Sequence, residues 1–229
     1  MLYIVGTPIG NLEDLSLRAA RTLVSSDIIL AEDTRSAHTL LNFAKETFNV
    51  PVNPTQRMIS YYKEKEFEKL AEVLEYLKDD KSVCLISESG MPLISDPGYI
   101  LVKEATKQNL PVSIVPGPTA VTTALALSGF NPENFMFVGY LPKKSTALKR
   151  QIDRIRQISQ ILDGVVFVAY ESPHRVKETL KVLQEAAPEA SVVVARELTK
   201  KFEEVTRGKP EELGKRDYKG EITLVLSFD

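Results

Sequence analysis

The sequence predicts an α/β protein with a mostly parallel sheet in its first half and a mixed sheet in its second. Three observations lead there. Up to residue 117, short apolar runs alternate with longer segments of helical periodicity, which is the pattern of successive βαβ units. Each apolar run closes on a cluster of Gly, Pro, Ser, Asn or acidic residues, as buried strands closed by turns do. Beyond residue 118 the rhythm changes, and 203–220 carries short mixed strand and turn signals that predict antiparallel pairing. Pro116-Gly117-Pro118 marks the boundary, giving domains 1–117 and 118–229. At 229 residues, 43% hydrophobic and 26% charged, the chain has the composition of a globular protein, which excludes disordered and collagen-like architectures.

In chain order, Leu2–Val5 is an apolar run ending in Gly6-Thr7-Pro8-Ile9-Gly10-Asn11 and is expected to be a strand. A helix follows at 15–24, then a strand at 27–31 ending in Glu32-Asp33-Thr34-Arg35, and a helix at 35–45. The two prolines of 49–54 make a loop or an edge. Over 64–77, Phe67, Leu70, Ala71, Leu74 and Leu77 recur at helical spacing and are expected on one buried face. A strand at 83–86 leads into the turn-rich segment 87–98, a helix at 101–108 and a strand at 112–115. The second half is expected to hold strands at 135–140, 165–170, 191–195 and 222–228, with helices at 119–128, 147–161 and 175–185.

Lys and Arg total 29 against 31 Asp and Glu, a formal net charge of -2, so the surface as a whole is no nucleic-acid magnet. Charge is uneven nonetheless. Lys143, Lys144, Lys149, Arg150, Arg154 and Arg156 face one acid, Asp153, over 143–156. That stripe suits an RNA phosphate backbone, and the same pattern suits a solvated helix face. His38, His174 and Cys84 are too few for a Cys/His zinc cluster, and no metal ligand is assigned. One cysteine makes no intramolecular disulfide, in keeping with a reducing compartment. The first residues lack the basic and apolar regions of a signal peptide. No apolar run approaches the ~18–20 residues of a membrane span. A cytoplasmic, soluble protein is expected.

In a parallel sheet, ligands sit outside the carboxyl ends of the strands. Those ends carry Thr7–Asn11, Glu32–Arg35, Ser87–Gly98 and Pro116–Ala120. With only Gly6 and Gly10, the first turn is no dinucleotide fingerprint, which counts against a nucleotide-dependent oxidoreductase. The loop at 87–98 offers exposed backbone groups to a ligand. Thr119 opens a helix and serves either as its cap or beside a polar ligand group. Glu171, His174 and Arg175 follow a strand, and His174 is a candidate general base.

Six segments occur in one order: TPIGNLEDLSLRA (7–19), AEDTR (31–35), SDPG (95–98), PGPTA (116–120), YESPHR (170–175) and ARELTKKFEEVTRG (195–208). Together they resemble the bacterial 16S rRNA (cytidine-2′-O)-methyltransferases, ribosomal small-subunit methyltransferase I, of the tetrapyrrole methylase superfamily. The resemblance covers nearly the whole chain. It implies a two-domain tetrapyrrole-methylase-like fold, S-adenosylmethionine held in the cleft between domains, a homodimer, and 2′-O-methylation of a decoding-centre cytidine in 16S rRNA of the small ribosomal subunit. It implies cofactor contacts from Pro8, Ser89, Gly90, Met91, Ile94, Ser95, Thr119 and Ala120, and from Tyr170, Glu171, Leu198, Glu221 and Ile222. Glu32, Asp33 and Arg35 are candidates for catalysis, with a carboxylate as proton acceptor and the guanidinium on a phosphate; an internal ion pair that organises the loop is the other reading. Lys143, Lys144, Lys149, Arg150 and Arg154 are the candidate RNA contacts.

The chain departs from the family's usual SDAGTPGISDPG loop at Glu88 for Asp, Met91 for Thr and Leu93 for Gly. If the loop holds the cofactor through its backbone, these changes are tolerable; if the threonine hydroxyl matters, affinity falls. The chain ends soon after Gly220–Leu226, without the C-terminal extension of some relatives, and weaker RNA binding is expected from that. Two alternatives stay open: a tetrapyrrole or protein methyltransferase of the same fold, and a ribosome-assembly binding module without catalysis.

Overall fold

The computed structural model describes residues 1–228 and divides the chain into two compact units, Met1–Thr119 and the part from Ala120 onward. In the first unit the strands are β1 (Leu2–Val5), β2 (Ile28–Ala31), β3 (Arg57–Ser60), β4 (Val83–Ile86) and β5 (Val112–Val115), joined through α1 (Leu17–Ser25), α2 (Thr34–Phe48), α3 (Glu66–Lys78) and α4 (Tyr99–Lys107). All pairings are parallel, in the order β3-β2-β4-β1-β5. Strand alternation sends Ile29, Ala31, Cys84 and Ile86 to one face, under α1 and α2. Ile28, Leu30, Val83 and Leu85 go to the other, under α3 and α4. Strands buried on both sides explain why each appears in the sequence as a continuous apolar run.

The neighbours β1 and β4 send their connections to opposite faces, α1 on one and α4 on the other. The crevice at their carboxyl ends is therefore a topological switch point, where open α/β sheets take ligands.

In the second unit β6 (Phe135–Tyr140), β7 (Val166–Glu171), β8 (Ser191–Arg196), β9 (Glu204–Gly208) and β10 (Ile222–Ser227) form a sheet in the order β6-β7-β10-β8-β9. β6 and β7 are parallel and the remaining pairs antiparallel, so the sheet is mixed. On one face α6 (Ser145–Ile161), α7 (Val176–Ala186) and α8 (Pro210–Leu213) bury Leu148, Ile152, Val176, Leu180 and Leu213 against Phe167, Val194 and Leu224. The apolar helix α5 (Ala120–Ser128) packs against β7, β9 and β10. Among the described residues, no helix is long and apolar enough to cross a membrane.

The structure differs from the sequence reading in two places. β3 was not expected. It is an edge strand of four residues, Arg-Met-Ile-Ser, in which only Ile59 is buried, so it shows neither an apolar run nor alternation. Backbone bonds hold it, from Arg57 N–H to Asp27 O at 2.8 Å and from Tyr61 N–H to Ala31 O at 2.8 Å.

The second concerns α3. Phe67, expected in the core, is 73% exposed, and Ala71 is exposed beside it. The buried stripe runs through Glu66, Val73, Leu74 and Leu77 instead. The rotation turns the Glu66 carboxylate inward. Its Oε1 accepts from Gly98 N–H at 3.1 Å and Ile100 N–H at 3.0 Å, and so caps the start of α4, which has no side-chain cap of its own. Truncating this group strands one buried and one partly buried donor. Glu66→Ala is expected to lower the unfolding free energy by about 1–3 kcal/mol; urea titration should show a lower midpoint with an unchanged slope.

Candidate functional site: the loop crest of the parallel sheet

Past their last residues β1 and β5 stay together. Gly6 N–H donates to Val115 O at 2.9 Å, and the two backbones then close at Gly6 and Gly117. A Cβ on Gly6 would lie 2.6 Å from the Gly117 nitrogen, and one on Gly117 would lie 2.8 Å from the Gly6 carbonyl carbon. Only glycine permits that approach. Next in the chain, Thr7 ties in the loop after β4. Its N–H donates to Gly90 O at 2.9 Å, and its buried hydroxyl lies 3.2 Å from the same oxygen and 3.3 Å from Ser87 O. The Ser87 hydroxyl donates to Gly90 O as well, at 3.2 Å. Gly117 N–H points at the Met91 sulfur, 3.3 Å away. Met91, which stands where the family pattern has threonine, thus supplies an acceptor at the glycine contact.

The loop then turns through two left-handed non-glycine residues, Leu93 with φ 72° and Ser95 with φ 74°. Leu93 stands where the family pattern has glycine. A side chain there is strained by about 1–2 kcal/mol, and strain of this kind gathers in ligand clamps. The crest thus places Pro8, Gly90, Met91 and Thr119 in or beside the buried contact and leaves Ser89, Ile94 and Ser95 exposed along its rim.

Acidic groups gather at the ends of β2 and β4. Burial pushes the Glu32 carboxyl above the usual range, and the charges of Glu88 and Glu64 push it further. Burial likewise raises Asp96 to about 6, with the charge of Glu32 adding and a hydrogen bond from Ser87 opposing. Asp33 goes the other way. Its carboxylate accepts from the Arg35 guanidinium at 2.8 Å and from Arg35 N–H at 2.7 Å, capping α2, and these bonds hold it below its usual range. The neighbours Glu32 and Asp33 are therefore chemically distinct: Asp33 is committed to a cap and an ion pair, while Glu32 resists ionisation.

In the second unit, Tyr170, Glu171, Leu198, Glu221 and Ile222 share one end of the sheet, where Ile222 pairs with both Glu171 and Arg196. The buried Glu171 carboxylate is engaged by Arg175, Thr179 and the Ser172 N–H. Leu198 lies in a left-handed loop between Glu197, φ 49°, and Thr199, φ 64°. Lys200 clamps that loop to Glu197 at 3.1 Å and to Glu221 at 2.9 Å. The Thr199 hydroxyl is buried without a hydrogen-bond partner. Ala120 opens α5. Lys143, Lys144, Lys149, Arg150 and Arg154 are all exposed at the start and along the outer face of α6, and none is in an ion pair among the described residues. Arg156 is, with Glu189 at 2.7 Å. His174 is exposed in the turn after β7. Sequence reading missed Glu66 and Asp96 as parts of the crest. Asp96 lay in a quoted motif, but its burial had no signal in the sequence.

A sequence model of the family described as Tetrapyrrole (Corrin/Porphyrin) Methylases matches residues 1–214. The chain belongs to the tetrapyrrole methylase family. Within it, this methylase groups with proteins named ribosomal RNA small subunit methyltransferase I. The one from Thermotoga maritima is 41% identical over 230 residues, covering 99% of this chain and 97% of the relative. That from a Hydrogenobaculum species is 40% identical over 231 residues, covering 99% and 95%. The fold recurs in the crystal structure of uroporphyrin-III C-methyl transferase from Thermus thermophilus complexed with S-adenyl homocysteine, at TM-score 0.66 and 19% identity, over 99% of this chain and 96% of that one. This methylase is an enzyme of the methyltransferase class with an α/β fold.

The raised Asp96 carboxyl has a consequence for stability. The folded protein keeps a proton that the unfolded chain releases, so stability falls as pH rises from the ordinary carboxyl value of 3.8 to about 6. Asp96→Asn removes that penalty. The variant is expected to be more stable than the parent near neutral pH by on the order of 1 kcal/mol, solvent screening of this partly exposed group allowed for. Urea midpoints measured across that pH range should fall less in the variant.

Proposed function

We propose that this methylase transfers a methyl group from S-adenosylmethionine to the ribose 2′-oxygen of a decoding-centre cytidine in 16S rRNA of the small ribosomal subunit, working as a cytoplasmic homodimer in which residues 1–117 and 118–229 are the two methylase domains. The observation that carries the RNA reading is the row Lys143, Lys144, Lys149, Arg150 and Arg154, exposed and outside every ion pair among the described residues, on a chain of net charge -2. Cations left unpaired on an overall acidic protein suit a phosphate backbone. The names of the full-length relatives agree with this reading.

The residues present fit the donor. The crest of the first unit offers backbone around Ser89–Ser95, turned outward by Leu93 and Ser95. In the second unit the partnerless buried Thr199 hydroxyl beside Leu198 suits a hydrogen-bonding ligand such as the adenosine part. When bound, S-adenosylmethionine supplies a methyl on a cationic sulfur that leaves as a neutral thioether. The protein's work is then to hold the acceptor in line and to take its proton. Pro8, Ser89, Gly90, Met91, Ile94, Ser95, Thr119, Ala120, Tyr170, Glu171, Leu198, Glu221 and Ile222 bind the donor, Glu171 through its backbone.

Glu32 accepts the 2′-hydroxyl proton. Of the two adjacent carboxylates it is the one outside any ion pair among the described residues, and its raised pKa makes it the better base. Asp33 holds Arg35, whose side chain is 91% exposed and reaches toward a substrate phosphate. Methyl-labelled donor offered to unmethylated small subunits, naked rRNA and a tetrapyrrole should label the subunits alone, on cytidine 2′-O by nucleoside mass spectrometry. Label on the tetrapyrrole would overturn the reading. In the same assay Glu32→Gln is expected to lower the rate by about 10²–10⁴-fold. It should also abolish the acid limb of the pH–rate profile, where the rate rises as Glu32 ionises. Asp33→Asn should keep that limb.

A further inference from the structure

One exposed aromatic side chain is placed in a way the fold does not require. β6 is an edge strand paired in parallel with β7, with Phe137 opposite Val168 and Tyr140 opposite Tyr170. Two residues, Val138 and Gly139, therefore stand against Ala169 alone, which is a bulge. Gly139 takes φ 70° there, although a Cβ on it would meet nothing within 4 Å. Glycine serves the backbone turn, not the space.

The bulge re-aims Tyr140. Residues 137 and 140 are an odd number apart and in a regular strand would face opposite ways. With the extra residue both rings meet Tyr170. Phe137 lies 4.9 Å from it at 66°, and Tyr140 lies 5.4 Å from it at 60°. Phe137 and Tyr170 are half-buried, whereas Tyr140 is 63% exposed, so a braced aromatic cluster presents one exposed ring. The chain just beyond is pinned. Arg175 donates two bonds to Leu141 O, at 3.2 and 3.3 Å, and Leu141 N–H donates to Tyr170 O at 3.4 Å. Two residues further on stand the exposed cations Lys143 and Lys144.

A rigid exposed ring followed at once by unpaired cations is the pairing that single-stranded RNA requires: a face for an unstacked base and charge for the phosphates beside it. We infer that Tyr140 is an RNA-binding residue whose ring stacks on an unpaired base of the substrate while Lys143 and Lys144 hold the adjoining backbone. The inference rests on the reading of RNA as substrate and adds a base contact that the cationic row does not supply.

The chain contains no tryptophan, so Tyr140→Trp creates a single fluorescent reporter at the site. Titrated with a short single-stranded oligocytidylate, its emission should be quenched saturably. Tyr140→Ala should weaken binding of the same probe by about 5- to 150-fold. Tyr140→Phe, which keeps the ring, should stay within about twofold of the parent. Charge reversal at Lys149 and Arg150 serves as the control and should weaken binding and lower the salt slope by about 2. An unquenched tryptophan together with full affinity in Tyr140→Ala, while charge reversal still weakens binding, overturns the stacking contact and leaves the RNA reading standing. A parent protein that neither binds the probe nor labels small subunits overturns both.

Discussion

Two glycines meet at the carboxyl edge of the parallel sheet, and the crest of the first unit is built on that contact. Gly6 and Gly117 stand so close that a single added carbon on either would fall within 2.9 Å of the other's backbone. Because they close, Thr7 reaches the loop after β4 and binds Gly90, and Met91 comes under the Gly117 amide. Three loops that begin on three strands become one packed surface. Hydrogen bonds then hold this surface in a backbone conformation that two left-handed side chains, Leu93 and Ser95, would not adopt on their own. Glu66 fixes the far end of the same loop from inside the core, by capping the helix into which it runs.

Charge divides labour between the units. The crest of the first gathers Glu32, Glu64, Glu88 and Asp96, and burial together with the charges of neighbouring carboxylates raises the Glu32 and Asp96 carboxyls above their usual range. A surface of that sign repels phosphate but suits proton transfer. The cations that suit phosphate lie on α6 of the second unit. Asp33 is the exception that clarifies the rule: paired with Arg35, it is easily ionised, and it is spent on structure.

Much of this was legible in the sequence. Strands buried on both faces announce themselves as apolar runs, and the turn clusters after them mark the crest, so the parallel half, the mixed half and the loops were all readable. What was not readable has particular causes. β3 has one buried residue and is held by bonds to β2. The rotation of α3 was hidden because a glutamate is expected outside; Phe67 and Glu66 are adjacent, and the core took the charged one for its hydrogen bonds. The bulge that turns Tyr140 depends on pairing with β7, which no local pattern in Phe135–Tyr140 records. The Glu32 and Asp33 pair could be found by motif, but their different chemistry follows from burial and from Arg35, which only the fold supplies.

The central claim is that the glycine contact shapes the crest proposed to hold the donor. It is tested most directly by titrating Gly6→Ala with S-adenosylmethionine in a calorimeter, with circular dichroism confirming that the variant is folded. The added methyl must displace Gly117 or the Met91 sulfur, each 2.6 Å away, and so distort the crest without touching the sheet below it. The account predicts a folded variant whose affinity for the donor falls by about tenfold or more. A folded Gly6→Ala that binds the donor as tightly as the parent would contradict it.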